Sequence, residues 1–267
     1  MSEISERGVK ADLQNRPDIV AGRNAVLELL KTGRDVDKLY VRRGENPRHG
    51  GGGSLSVIVA TAVERKIPVI EVDGSKLDML TGGASHQGVA ASAPAVEYAE
   101  LDDVFALAES RGAKPFIVIA DGIEDPQNLG ALIRCAEVAG AHGVIIGKRR
   151  AVGLTGTVEK ASAGAVEHIP IVKVTNIAAT LDELKKRGLW IFAAEAGGTH
   201  YYNTDMRGAG AFVFGSEGGG ISRLVREKSD FIVSIPMYGR VTSLNVSAAA
   251  AVILCEAARQ NQPKIDN

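Results

Sequence analysis

Three short segments in the second half of the chain carry the residues best suited to chemistry. The first reads Asp121-Gly-Ile-Glu-Asp-Pro-Gln-Asn128-Leu-Gly-Ala-Leu-Ile-Arg134. Asn128 stands at an expected helix start, where its side chain suits the capping of free N–H groups. Arg134 interrupts an apolar face formed by Leu132, Ile133, Ala136 and Val138, and its long side chain reaches back toward the same helix end. A surface salt bridge is one reading of it and a functional cation is the other. The second segment is Phe212-Val-Phe-Gly215-Ser-Glu217-Gly218-Gly219-Gly220-Ile-Ser222. Glycines after a strand let a ligand approach the backbone. Their spacing is neither G-x-G-x-x-G nor G-x-x-x-x-G-K-[ST], which disfavours a dinucleotide or nucleoside triphosphate. Glu217 repels phosphate and suits a cationic ligand or a charged partner such as Arg134. The third is Ser234-Ile235-Pro236-Met237-Tyr-Gly-Arg-Val-Thr242-Ser243-Leu244-Asn245-Val-Ser247, running into four alanines. Small side chains let the following helix pack closely, and Ser243 and Asn245 taken alone read as helix caps.

Each segment needs a strand before it and a helix after it. Aliphatic runs predict strands at 116–120, 143–146, 169–174, 190–194, 212–214 and 232–234, and helical spacing predicts helices at 129–139, 177–187, 221–227 and 244–259. This alternation implies an α/β fold with a mainly parallel sheet and helices on both faces. Ligands of such sheets sit beyond the carboxyl ends of the strands, where all three segments fall. The first half alternates too. A helix is expected over 24–31, stopped by Gly33, then a strand at 38–41, a helix at 55–65 and strands at 68–72 and 88–91. The glycine run 50–53 reads as loop. The resulting plan has a flexible tail at 1–17, a small α/β domain at 18–93, a linker at 94–113 with a short helix at 101–110, a larger domain at 114–260 and a tail at 261–267.

Composition bounds this plan. An apolar share of 45% supports a sizeable core, while 4% aromatic residues means that Ala, Val, Ile and Leu build it. Cys135 and Cys255 lie in apolar helical patterns without metal-ligand spacing, so neither a disulfide framework nor a zinc site is implied and a reducing cytoplasm is expected. No signal pattern and no run of transmembrane length is visible. A net charge of −1 argues against a broadly basic surface, although Arg42, Arg43 and Arg48 cluster in the first half and Lys148, Arg149 and Arg150 in the second.

Together, N-L-G-A-x-x-R, then F-G-S-E-G-x-G, then S-I-P-M with S-L-N-V-S-x-A resemble, in order and spacing, the three motifs of the TrmH branch of the SPOUT RNA methyltransferases. The resemblance covers residues 114–260. G-R-N-A-V-L-E-L-L at 22–30 and H-Q-G-V at 86–89 are similar to the substrate-binding domain of the RlmB group, which methylates a guanosine ribose in large-subunit (23S) ribosomal RNA. The glycine run at 50–53 departs from that pattern.

The resemblance implies a deep trefoil knot, an exception to the rule that chains do not thread loops. It implies a homodimer, no metal, and S-adenosylmethionine held mostly by backbone groups. The cofactor positions that match are Ala194, Glu195, Ala196, Gly197, Gly215, Ile235, Met237, Ser243 and Leu244, and the catalytic group carried over is Asn128, Arg134, Glu217 and Asn245. Arg42, Arg43 and Arg48 become RNA-contacting candidates. A sulfonium methyl donor is already activated, so the protein must align an oxygen nucleophile and ease loss of its proton. Arginine stays protonated, which favours Arg134 as a phosphate-holding and oxyanion-stabilising group over a general base. Asn128 then orients ribose or phosphate, Asn245 fixes the third segment, and Glu217 holds Arg134 or a neighbouring loop. A transfer-RNA ribose methyltransferase, a resistance methyltransferase, a non-catalytic RNA-binding assembly factor and a generic nucleotide-binding enzyme are the alternatives.

Overall fold

The computed structural model describes residues 18–45 and 53–261. The tail expected at 1–17, Arg48, most of the glycine run and residues 262–267 lie outside the described residues. The chain forms two compact units, one reaching to Val96 and including Leu154–Lys160, the other holding Glu97–Gly153 and everything from Ala161.

The first unit contains β1 (Asp18–Ala21), α1 (Arg23–Lys31), β2 (Lys38–Arg42), α2 (Ser54–Glu64), β3 (Val69–Val72), α3 (Gly74–Leu80) and β4 (Val89–Ala93). Its sheet has the order β1-β4-β2-β3, with β4 antiparallel to both neighbours and β2 parallel to β3. The stripe Ala25, Val26, Leu29 and Leu30 expected from spacing is the buried face of α1, and it packs with Leu39, Val41, Ile58 and Val59. Arg65 then closes the C-terminal end of α1. Its guanidinium donates to the carbonyls of Leu30, Gly33 and Arg34 at 2.8, 3.1 and 2.7 Å, groups that a helix end leaves unpaired. The two motif-like stretches of this half meet directly. Arg23 donates from its backbone N to Gln87 Oε1 at 3.0 Å and from Nε to the Gln87 carbonyl at 2.9 Å.

The second unit contains α4 (Leu101–Ser110), β5 (Phe116–Asp121), α5 (Pro126–Val138) and β6 (Gly143–Gly147). After the short α6 (Gly156–Ala161), most of which groups with the first unit, come β7 (Ile171–Val174), α7 (Ile177–Lys186), β8 (Trp190–His200), β9 (Gly210–Gly215), α8 (Arg223–Lys228), β10 (Phe231–Ser234) and α9 (Val246–Asn261). The stretch 94–113, expected as a linker, is part of this unit from Glu97 onward, and Val104 of α4 is fully buried in its core. Six strands run parallel in the order β10-β8-β9-β5-β6-β7. Strands covered on both faces need apolar side chains on both, which is why β5 and β6 read as unbroken aliphatic runs. Four of the phenylalanines form a row across the sheet. Phe116, Phe212, Phe192 and Phe231 follow one another across β5, β9, β8 and β10 at centroid distances of 5.2, 4.8 and 5.0 Å.

Two local features break the regularity of this sheet. β8 pairs with β10 through Ala193 opposite Ile232 and then Thr199 opposite Val233, so residues 194–198 leave the ladder. Gly198 permits this, since a Cβ there would stand 2.2 Å from the Ile232 carbonyl oxygen. At the start of β5, buried His142 accepts from the Phe116 N–H through Nδ1 at 3.1 Å. Burial, with Arg111 nearby, holds its pKa below the ordinary 6.5. Among the described residues no helix is long and apolar enough to cross a membrane.

Candidate active site

In an all-parallel sheet the carboxyl ends of the strands share one edge. Asp121 of β5 pairs in register with Gly215 of β9, so the first two loops leave the sheet side by side. Asp121 also ties them together, accepting from the Ser222 N–H through Oδ2 at 2.7 Å.

The second loop folds back on itself. Ser216 and Gly220 exchange backbone hydrogen bonds of 3.2 and 2.8 Å, and Gly220 sits at φ 61. A Cβ on Gly215 would stand 2.2 Å from the Gly220 carbonyl carbon and 2.4 Å from the Ile221 nitrogen. Gly215 is therefore required by closure of its own loop. Neighbouring backbone, not open space, fills the side where a side chain would stand. Closure leaves Glu217 exposed at the loop tip.

Asn128 is not the helix cap that its position suggested. α5 begins earlier, with Asp125 as N-cap and Pro126 at the first helical position, where a missing N–H costs nothing. Asp125 Oδ1 accepts from the backbone N–H of Asn128 at 2.8 Å, which frees the Asn128 side chain. That side chain accepts from Asn245 Nδ2 at 2.8 Å, and the same Nδ2 donates to Glu217 Oε1 at 2.6 Å. The other end of the Asn245 amide accepts from the Ser247 N–H at 2.9 Å and from Ser247 Oγ at 2.6 Å. Donors thus face acceptors at both ends, fixing the amide orientation by its network. Asn245 caps α9 with its oxygen and joins the three loops with its nitrogen.

Arg134 lies about one and two-thirds turns beyond Asn128 on α5, exposed, and its guanidinium makes no ion pair or hydrogen bond among the described residues. Glu217 reaches Asn245 rather than Arg134, so of its two expected partners the neighbouring loop is the one found. Arg134 stays available for an anion. Beside it, burial and the nearby Cys255 push the Cys135 thiol up against the opposing effect of Arg134, and Cys135 Sγ faces the Ser247 carbonyl at 3.5 Å.

Two hollows flank this junction. One, of about 160 Å³, is lined by Ala194, Glu195, Ala196, Ile235, Met237, Ser243 and Leu244. Residues 194–196 reach it because they have left the β8 ladder. Gly197, at φ 82, and Gly215 help shape the surrounding turns without lining the hollow. Val233, Thr242, Ala249 and Ile253 complete the wall. Thr242 lies within the third segment, while Val233, Ala249 and Ile253 lie on the strand and helix flanking it, and only contact geometry distinguishes these three from ordinary core. Among the described residues no basic side chain lines the hollow, and Glu195 is the charged group that does. Glu195 accepts from Arg226 Nε at 2.5 Å. The second hollow lies between loops one and two, lined by Gly122, Asp125, Asn128, Ser216, Glu217 and Val246 among others.

Arg42 and Arg43 lie in the first unit, where each faces a carboxylate: Arg42 pairs with Glu45 and Arg43 with Asp73, both at 3.4 Å. Among the described residues no group of three His, Cys, Asp or Glu could hold a metal ion.

Comparison with known proteins gives this geometry a context. Residues 115–255 match the sequence model of the SpoU rRNA Methylase family, and residues 19–99 match that described as RNA 2′-O ribose methyltransferase substrate binding. The chain is 46% identical over 252 residues to YacO of Bacillus subtilis (strain 168), a protein assigned by name to the TrmH family of tRNA/rRNA methyltransferases, with 94% of this chain and 99% of that one covered. A crystal structure of an RNA 2′-O ribose methyltransferase superposes with a TM-score of 0.75 at 27% identity, covering 93% of this chain and 90% of that one. The SpoU methyltransferase AviRb of Streptomyces viridochromogenes, solved with AdoMet, shares the fold at a TM-score of 0.71 and 24% identity, covering 91% and 89%. With three loops converging on Asn245 and a family match spanning most of the second unit, the chain belongs to the SpoU rRNA methylase family of TrmH-type RNA methyltransferases.

Proposed function

We propose that the protein transfers a methyl group from S-adenosylmethionine to the 2′-hydroxyl of a guanosine ribose in large-subunit ribosomal RNA. The observation that carries this reading is the Asn128–Asn245–Glu217 junction, set between the hollow of residues 194–196 and the cleft of loops one and two. The donor set of the first hollow fits the cofactor. Apolar walls suit adenine and the aliphatic carbons beside a sulfonium, Glu195 suits a cationic or hydroxyl-bearing ligand, and a lining without lysine or arginine among the described residues suits a nucleoside without phosphates. Ala194, Glu195, Ala196, Ile235, Met237, Ser243 and Leu244 would hold it, with Gly197 and Gly215 shaping the turns. When bound, it supplies an electrophilic methyl group.

The chain's own residues then align and polarise the nucleophile. Asn245 holds Asn128 in place, so that the remaining amide of Asn128 can orient the ribose. Arg134 grips the adjoining phosphate and stabilises negative charge growing on the 2′-oxygen, while the hydroxyl proton passes to phosphate or water. Glu217 fixes loop two against loop three through the charge-assisted bond to Asn245. Residues 18–93 act as the RNA-recognition domain, with Arg42, Arg43 and Arg48 on phosphates, and residues 114–260 as the catalytic domain. The proposal includes a knotted catalytic domain, a homodimer packed through small-residue helices, and work in the cytoplasm without a metal.

A transfer-RNA target is the second reading, favoured by the Bacillus relative, which is named as a tRNA/rRNA methyltransferase. Methylation of unmodified ribosomal and transfer RNA transcripts with labelled cofactor, followed by mapping, decides between them. Label in a ribosomal guanosine supports the proposal; label in transfer RNA alone replaces it. RNA binding without any methyl transfer would make the protein an assembly factor.

A further inference from the structure

The basic triplet Lys148-Arg149-Arg150 takes no part in the Asn128–Asn245–Glu217 junction, yet it emerges beside it. β5 and β6 are parallel neighbours with Ala120 opposite Ile146, so the residues after Gly147 leave the sheet next to loop one. The two turns are bonded, since the Val152 N–H donates to the Ile123 carbonyl at 3.1 Å. The Arg150 carbonyl lies 4.0 Å from where a Cβ on Gly122 would stand, and Gly122 lines the cleft that contains Asn128 and Glu217. Arg150 itself sits at φ 53, a left-handed conformation that bulky residues seldom adopt. Such a conformation persists only where its surroundings impose it, so this turn has a definite shape.

The charges are as informative as the position. All three side chains are exposed, and none makes an ion pair or hydrogen bond among the described residues. Arg187, Arg207, Arg226 and Arg259, by contrast, each pair with a carboxylate. The adjoining cleft is acidic, lined by Glu124, Asp125 and Glu217 and, among the described residues, by no lysine or arginine. A polyanion crossing it would be repelled by the floor unless cations at the rim held its phosphates.

We propose that Lys148, Arg149 and Arg150 form a phosphate-binding rim belonging to the methyltransferase unit itself, gripping the RNA backbone next to the nucleotide presented at Asn128. The inference rests on the RNA-methylation reading of the site and adds a contact separate from Arg42 and Arg43. Phosphates carry no sequence, so the rim sets affinity and register and leaves base choice to other groups.

The test compares the full-length protein with K148A/R149A/R150A. One arm measures binding of an unmodified large-subunit ribosomal RNA transcript across a salt series, and the other measures methylation of the same transcript. Losing three phosphate contacts should make the slope of log affinity against log salt shallower by about two to three units. KM for RNA should rise about 10-fold or more with kcat within roughly 3-fold and cofactor affinity unchanged. K148R/R149K/R150K, which keeps the charges, should keep the slope. Should the triple alanine variant fail to fold, R149E alone on this exposed turn should move slope and KM in the same direction. Unchanged slope and KM in a folded variant, with the wild type methylating normally, overturns the rim. A wild type that binds the transcript with the steeper slope but transfers no methyl group to any RNA overturns the methylation reading and leaves the rim standing.

Discussion

Asn245 Nδ2 donates to Asn128 Oδ1 at 2.8 Å, joining residues 117 apart in the chain, and the same nitrogen donates to Glu217. Loop one and loop three are thereby held by a single amide. Asn128→Ala and Asn245→Ala should each slow single-turnover methylation about 10-fold or more, the scale of one positioned hydrogen bond in a desolvating site. Because the two share one link, the double variant should be slowed by clearly less than the product of the two single effects. Rates that multiply would show that the two residues act separately. Asn245→Asp keeps the cap of α9 but sets a carboxylate against Glu217, and should be slower than Asn245→Ala.

Gly215 has a structural reason that precedes any ligand. Its missing Cβ makes room for the backbone of Gly220 and Ile221. Gly215→Ala should therefore destabilise the protein by about 1–3 kcal/mol, as overpacking does, without cofactor present. A thermal midpoint lowered by roughly 2 °C or more in cofactor-free protein is the expected reading. An unaltered midpoint with lost cofactor binding would tie the need for glycine to the ligand instead.

His142 makes stability depend on pH. Its folded pKa is depressed below 6.5 by burial and nearby Arg111, while the unfolded chain has the ordinary value. The unfolded state then binds more protons in the window below 6.5. The contribution is complete above that pH and is lost as pH falls through the window, at up to about 1.4 kcal/mol per pH unit for one proton. Urea midpoints at pH 7.5 and 5.5 should differ less in His142→Asn, which keeps an acceptor for Phe116. Parallel pH curves for the two proteins would remove His142 as the cause.

Arg42 and Arg43 are engaged with Glu45 and Asp73, both pairs on the surface. Exposed pairs of this kind contribute about 0–1 kcal/mol, so phosphate can replace the carboxylates readily. R42A/R43A should change folding stability by less than about 1 kcal/mol and reduce the salt slope of RNA binding by about one to two units. A slope equal to that of the wild type would leave these arginines as surface salt bridges.

Periodicity carried most of the scaffold. Strands buried on both faces write themselves as aliphatic runs, so β5, β6 and β9 were legible, as was the apolar stripe of α1. β1 and α3 were not, because β1 directly follows the polar stretch 1–17 and pairs only with β4 far along the chain, and α3 buries only Leu77. Asn128, Glu217 and Asn245 were legible as a group only through the order of their motifs. That Asn245 is both cap and bridge, and that Asp125 takes the capping role expected of Asn128, depends on side-chain geometry with no periodic signal. The excursion at 194–198 was equally hidden, since it is a register change between β8 and β10 that neither strand's own sequence marks.

The central claim is that this junction serves methyl transfer to a ribose oxygen, with Arg134 as the group nearest the developing charge. A 2′-O-methyl group blocks alkaline cleavage of the adjoining phosphodiester, so the direct measurement is where labelled methyl appears after alkaline hydrolysis of the modified RNA. For the wild type, label should remain in alkali-resistant dinucleotides. Arg134→Ala should form them about 100-fold or more slowly in a single turnover, with cofactor affinity unchanged. Label released in mononucleotides, or an Arg134→Ala rate close to that of the wild type, would contradict the account.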